Sequence, residues 1–245
     1  MKALSRTSGP AQEETQTQTD RAYQALRAAI MRCEYEPGAR LRVDELTQTL
    51  SVSSSPLREA LSRLSGQGLV QALENRGFRV APLSLEGIVD LTRVRLLIEC
   101  ETLCDAMDNG NDTWESDVVG AAHRLTLAEQ RLNGGSAILD DDWSQRHRDF
   151  HMALYSGAMS PLLKVMVSNL FDAAERYRRF SASHRKIRRN KNDEHQELMR
   201  VTLSREKKKA VELLKQHIAS TQRNVTAAFQ AANGKNSAIA VSPRT

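Results

Sequence analysis

Large apolar residues recur three and four positions apart along most of the chain, which lays one apolar stripe on each of a series of helices. Tyr23, Leu26 and Ile30 mark the first, about three turns from Asp20, before Pro37-Gly38 interrupts it. Asp44 and Glu45 then stand where the positive end of a second helix favours acids, with Leu46 and Leu50 inside and Ser51-Val52 as the following turn. Ser55 as a cap and Pro56 at the first position open a third helix, buried through Leu57, Leu61 and Leu64. Its other face carries Arg58, Ser62 and Ser65, with Ser53, Ser54 and Ser55 at the tip. Gly66 and Gly68 close it, and Leu69 to Val80 reads as two short strands folded at Asn75-Arg76-Gly77.

After Pro82 the helical period takes over. Leu85 to Asp108 carries Ile88, Leu91, Leu96 and Ile98 and ends at Asn109 to Asp112; further helices are expected at 113–133, 139–157, 161–181, 191–203 and 205–230. The expected fold is mainly α: an N-terminal winged helix-turn-helix over 19–83 and an all-α bundle of six to seven helices over 84–230. Residues 1–18 are rich in Ser, Thr, Gln and Glu with almost no large apolar groups, and 231–245 are polar with Gly and Pro, which predicts disordered tails.

Charge and cysteine content narrow the class. With 35 basic against 30 acidic residues, the net charge of +5 suits a polyanionic partner without requiring one. No apolar run reaches the roughly 18 residues of a membrane span, and the polar start is unlike a signal peptide, so a soluble cytoplasmic protein is expected. Cys33, Cys100 and Cys104 are odd in number and lack metal-ligand clustering with one another, which fits a reducing compartment. Cys100 and Cys104 share a helical face, either as packing or as a redox pair, packing being the simpler reading.

A helix-turn-helix followed by a hairpin suits duplex DNA, because a helix fits the major groove and its N-terminal residues meet base edges. Residues 20–83 hold nine Arg, no Lys and seven acids, so the basicity is all guanidinium, although the excess alone would also fit a solvated face. VSSSPLREALSRLSGQGLV followed by NRGFRV resembles the DNA-binding domain of the GntR family of bacterial transcription regulators, over about 65 residues. The resemblance implies that Ser53, Ser54, Ser55 and Arg58 approach the major groove and that Asn75, Arg76 and Gly77 form the wing tip. Ser54 stands where many relatives carry Arg; Arg42, where relatives often have Asn, offers a replacement contact, and Ser51 takes the place of a turn Gly.

In the bundle, His147 and His151 are four apart, so both rings leave one helical face and can share a metal. RHRDFHMALYSGAMSPLL, EHQELM and LKQHI, after VRLLIE, resemble the FCD effector domain of the FadR-type branch of the same family, over about residues 84–225. The resemblance implies that His151, His195 and His217 are metal ligands, with His147 at the position of the family's Asp or Asn. Asp149 cannot replace it, being two residues and about 200° around the helix. The site is therefore a four-His site, or a three-His site with His147 nearby, and neutral imidazoles favour a divalent transition metal, zinc first and nickel next.

The same resemblance implies an anion pocket for a small organic acid, a dicarboxylate or related compound, at Arg95 with one or more of Arg176, Tyr177 and Arg178; the alternative for Arg95 is a structural pair with Glu99. DDW, HRDFH and LFDAAERYR are most similar to the carbon-starvation regulators within that branch. The basic run His184 to Lys191 is either a solvated loop or a second nucleic-acid contact, the loop being favoured.

Taken together, these readings predict a homodimeric regulator, a repressor, bound to a palindromic operator in the bacterial nucleoid and modulated by a carboxylate. A helical metal-dependent hydrolase with a DNA-binding appendage is the competing class. It lacks the general base of a zinc-protease helix, since Arg148 follows the first histidine where Glu is needed. A third reading is a DNA binder whose metal is purely structural.

Overall fold

The computed structural model describes residues 17–74, 76–132, 140–183 and 192–239, which form nine helices and one three-stranded sheet. Helix α1 (Gln18–Met31) starts where the Thr17 hydroxyl accepts the Asp20 amide at 3.1 Å, and it buries Tyr23, Leu26 and Ile30. It packs against α3 (Ser54–Gly66), whose Leu57, Leu61 and Leu64 are fully buried, while α2 (Val43–Leu50) closes the trihelical core through Val43 and Leu46.

Strands β2 (Val70–Leu73) and β3 (Gly77–Val80) form the expected hairpin, in register from Val70 against Val80 to Leu73 against Gly77. Gly77 has φ +85°, a conformation that favours glycine at the turn. A third strand, β1 (Arg40–Leu41), pairs antiparallel with β3. Two residues are too few to show a strand period, so the sequence pattern does not reveal it.

The start of α3 differs from expectation. Ser53 is the N-cap and Pro56 is the third helical residue, a position that proline tolerates because first-turn amides have no intrahelical acceptor. Between α2 and α3, Ser51 adopts the left-handed conformation (φ 52°, ψ 47°). A Ser51→Gly variant is expected to gain about 0.5–1 kcal/mol, because the left-handed region costs an L-residue roughly 1–2 kcal/mol and glycine's extra unfolded freedom cancels part of that. The measurement is the urea midpoint at unchanged m-value; a midpoint at or below the parent's would contradict it.

Six helices follow: α4 (Leu85–Asn109), α5 (Asp112–Leu132), α6 (Asp141–Ser156), α7 (Pro161–Ser183), α8 (Asn192–Leu203) and α9 (Lys207–Ile239). Ser84 and Asp140 cap α4 and α6 by accepting the Gly87 and Trp143 amides. Leu103, Trp114, Val118, Phe150, Leu154 and Leu214 are among the side chains of their common core. The last helix corrects the expectation of a tail from 231, since α9 stays helical to Ile239. Ala227, Ala228, Ala231 and Ala232 have the highest helix propensity, and the single Gly234 is not enough to end it. Residues 1–16 and 240–245, which hold the rest of both predicted tails, lie outside the described residues, as do Asn75 and the run 184–191.

The winged helix sits against α6 and α7 through shared carboxylates. Asp172 on α7 accepts Arg27 of α1 at 2.5 Å and Arg148 of α6 at 2.9 Å. Asp141 at the start of α6 meets Arg179 at 2.7 Å and Arg32, just past α1, at 3.6 Å. Among the described residues no helix is long and apolar enough to cross a membrane.

Candidate DNA-binding surface and metal centre

The exposed face of α3 carries Ser54, Ser55, Arg58 and Ser62. Ser53 makes no side-chain cap bond, so the first amides of α3 are left for an outside acceptor such as a phosphate oxygen. Arg58 and Arg76 are exposed and form no ion pair among the described residues. Arg42 is exposed as well, but its guanidinium pairs with Glu45 at 2.9 Å, a surface contact worth less than about 1 kcal/mol.

Arg40 and Arg79 have no place in the sequence expectation. They are register partners across β1 and β3, and Arg79 donates to Gln71 at 2.8 Å. Two like charges directly opposite each other raise the positive potential on this face of the wing, at a cost in mutual repulsion. Both arginines count toward the basicity of the segment, but only the short β1 strand brings them together.

Inside the bundle, α6 presents His147 and His151, α8 presents His195 and α9 presents His217. All four are buried, and one ring nitrogen from each lies within 4.8 Å of the others. Trp143, one turn before His147, stacks on its ring at 4.7 Å and 12° and so holds it toward the centre. Among the described residues, neither nitrogen of His147 or His151 has a hydrogen-bond partner, nor has His195 Nε2. Burial, followed by the neighbouring histidines and Arg178, pushes the pKa of His147 and of His151 well below the ordinary 6.5. These two rings are therefore neutral.

Two carboxylates stand behind this cluster. Glu129 Oε1 is 3.3 Å from His195 Nδ1, and Glu194 Oε2 is 3.4 Å from His217 Nδ1. Each would hold the proton on Nδ1 and leave Nε2 as the inward donor, the arrangement typical of metal-binding histidines. Buried polar atoms normally find partners, and a divalent metal is a group that would satisfy these nitrogens together. Asp149 is bonded to Gln145 at 2.7 Å instead.

The four predicted effector residues separate. Arg95 is 2% exposed and donates from Nε and Nη2 to Glu99 at 2.5 and 3.2 Å, while the Tyr155 hydroxyl donates to the same carboxylate at 2.8 Å. The pairing with Glu99 is thus formed, yet the Arg95 charge still reaches His151. Arg178 lies over the Phe171 ring at 4.1 Å, donates to Glu175 at 2.8 Å, and acts on both His147 and His151. Arg176 and Tyr177 go elsewhere: Arg176 donates to the Ala81 carbonyl, and Tyr177 packs with Ile88 and Val225. Along α7 their side chains leave the helix about 200° and 100° around from Arg178, which turns them toward the winged helix and α4.

Cys100 is buried and its thiol is pushed up to about 11, mainly by burial, so its reactive thiolate form is suppressed. Cys33 and Cys104 are also free.

A winged helix joined to a six-helix domain defines a DNA-binding regulator. Residues 18–80 match the bacterial regulatory proteins of the gntR family and residues 90–220 match the FCD domain. The HTH-type transcriptional regulator BphR of Paraburkholderia xenovorans is 39% identical over 199 residues, 81% of each chain. The HTH-type transcriptional repressor GlaR of Escherichia coli K12 is 35% identical over 200 residues, 80% of this chain and 90% of the relative. Among solved structures, E. coli McbR/YncC has a similar fold, with a TM-score of 0.69 at 20% identity over 87% of this chain and 98% of that one. The chain belongs to the gntR family and carries an FCD domain; it is a DNA-binding transcriptional regulator, not an enzyme.

Proposed function

We propose that the protein is a repressor that binds a palindromic operator as a homodimer in the cytoplasm, and that its helical domain holds a divalent metal and responds to a small carboxylate. The single observation that carries the sensing half is the convergence of four buried imidazoles, one ring nitrogen of each lying within 4.8 Å of the others. His147, His151, His195 and His217 would hold the metal, zinc by preference and nickel next, since imidazole suits borderline cations. When bound, it supplies positive charge and a coordination position for a carboxylate oxygen. Arg178 and Arg95 add positive field on the same side, although each is already paired and would have to share with the incoming anion.

On the DNA side, Ser53, Ser54, Ser55 and Arg58 would face the major groove and Asn75, Arg76 and Gly77 the minor groove. Arg42, Arg40 and Arg79 would add phosphate contacts. The test is a gel-shift titration with metal-loaded protein and a panel of small dicarboxylates. Selective binding to one duplex that weakens with one acid supports the proposal, and operator affinity unchanged by every acid that binds the bundle would end the effector claim.

A second reading follows from the same four imidazoles, which could complete a closed tetrahedral zinc site with no position left for a ligand. Thermal unfolding separates the two, because an acid present at 100 times its Kd should add about 2.7 kcal/mol.

The route between the sites runs through Asp172. Arg148 lies between His147 and His151 on α6 and shares that carboxylate with Arg27 of α1, so a shift of α6 bears directly on the winged helix. The Asp172→Asn variant is expected to bring the operator affinities of metal-loaded and metal-stripped protein together, from a difference of about 5–150-fold in the parent. A parent difference that survives in the variant would show that the coupling goes another way.

A further inference from the structure

Five strongly exposed apolar side chains fall on two neighbouring elements. Val89 and Leu97 (66% exposed) lie on α4, while Met159 (69%), Leu162 (68%) and Val165 (57%) lie at and just before the start of α7. The two helices run side by side in opposite directions. Asp105, near the end of α4, accepts the Met159 and Ser160 amides at 2.9 and 3.3 Å, and Gly87, near its start, lies against the Tyr177 hydroxyl. Next to Leu97 a groove between α4 and α9 is lined by Val89, Leu96, Cys100, Cys104 and Val211. Isolated exposed apolar residues need no explanation, but a contiguous face of them marks an interaction surface.

The charges on that face select the occupant. Arg93 and Glu101 lie four residues before and four after Leu97, on one side of α4, and neither forms an ion pair among the described residues. A two-fold axis through Leu97 brings position 97 − n of one helix opposite position 97 + n of the other. Arg93 then meets the partner subunit's Glu101, and Glu101 meets the partner subunit's Arg93. A patch that is complementary to itself in this way fits a second copy of the same chain, whereas a nucleic acid would need a basic excess that α4 lacks. We infer that the α4 face centred on Leu97, extended by Leu162, is the homodimer interface, with two Arg93–Glu101 pairs setting the register of an antiparallel α4 pair. This deepens the proposed function by naming the surface through which the two winged helices are joined.

Sedimentation equilibrium of the full chain tests it. The parent is expected to be a dimer at micromolar concentration and Leu97→Glu a monomer with the parent's circular dichroism, since Leu97 is mostly exposed in the single chain. Arg93→Glu and Glu101→Arg should each weaken the dimer at least about tenfold by opposing like charges, and the combined variant should restore it. If the parent is a dimer and all three single variants remain as tightly associated, the interface lies elsewhere, while the dimeric reading stands. A parent that stays monomeric while binding its operator overturns both. Loss of the dimer in each charge variant without rescue in the combined one overturns the antiparallel register.

Discussion

Replacing His151 with alanine is expected to abolish stoichiometric metal retention and to weaken metal binding by more than about 100-fold, beyond the 10–100-fold typical of losing an outer partner. The ring is fully buried, both nitrogens lack hydrogen-bond partners among the described residues, and its centroid lies 5.0 Å from His217 and 4.7 Å from His147. No exposed side chain can replace it without unpacking Phe150 and Phe171, whose rings flank it at 5.3 Å. Glu129→Gln should instead fall within the 10–100-fold range, because it loosens His195 without removing a donor. His147→Ala decides between four ligands and three: a loss as large as that of His151→Ala makes it a ligand, and a small one makes it a neighbour. Metal content after gel filtration and competition with a coloured chelator measure all three. Full retention in both His151→Ala and His217→Ala would remove the site. In the parent, metal at 1,000 times its Kd should raise stability by about 4.1 kcal/mol, so stripping it lowers the melting temperature.

Arg58→Ala is expected to weaken operator binding about 10–100-fold, the effect of losing a guanidinium at a base edge, and to flatten the salt dependence by about one unit of log–log slope if a phosphate is also lost. Arg58 is exposed on α3, one turn past the helix tip, with no acid among the described residues holding it back. Arg63 on the same helix differs, as it is paired with Asp20 at 2.8 Å and lies over Tyr23, and its replacement should act mainly on stability. The reciprocal change, Ser54→Arg, is expected to strengthen binding and alter base preference, because it places a long donor on the tip where this chain has a hydroxyl. Fluorescence anisotropy against operator and scrambled duplexes reads both effects. Equal losses on the two duplexes for Arg58→Ala would assign it to phosphate alone, and no loss on either would take α3 out of the groove.

Both winged helix and bundle were legible in the periodicity because helices are specified locally. The expected 113–133 and 191–203 lie within one residue of α5 and α8 at each end. Strand β1 was not legible, since a two-residue strand exists only by pairing with β3. The cap of α3 was misplaced by two residues because Ser53, Ser54 and Ser55 are chemically equivalent in the sequence. The end of α9 was placed early because a polar composition does not by itself stop a helix.

The candidate metal site shows the same division. His147 and His151 share a helical face by spacing alone, whereas Glu129 and Glu194 gave no signal: Glu129 comes from α5, and Glu194 is next to His195 in sequence but faces His217. The motif AERYRRF offers three neighbouring candidates, and a helix sends consecutive side chains about 100° apart, so only Arg178 reaches the histidines.

By itself, then, the amino-acid sequence determined the helices, the hairpin, the family and the histidines able to meet, because each depends on spacing within a few turns or on a contiguous motif. Only the tertiary structure decided that four rings from three helices converge and that Arg95 is held by Glu99. It also decided that Asp172 joins α1 to α6 and that Leu97 faces outward between Arg93 and Glu101. Those facts depend on which helix faces pack together, and packing is settled by the whole core rather than by any one segment.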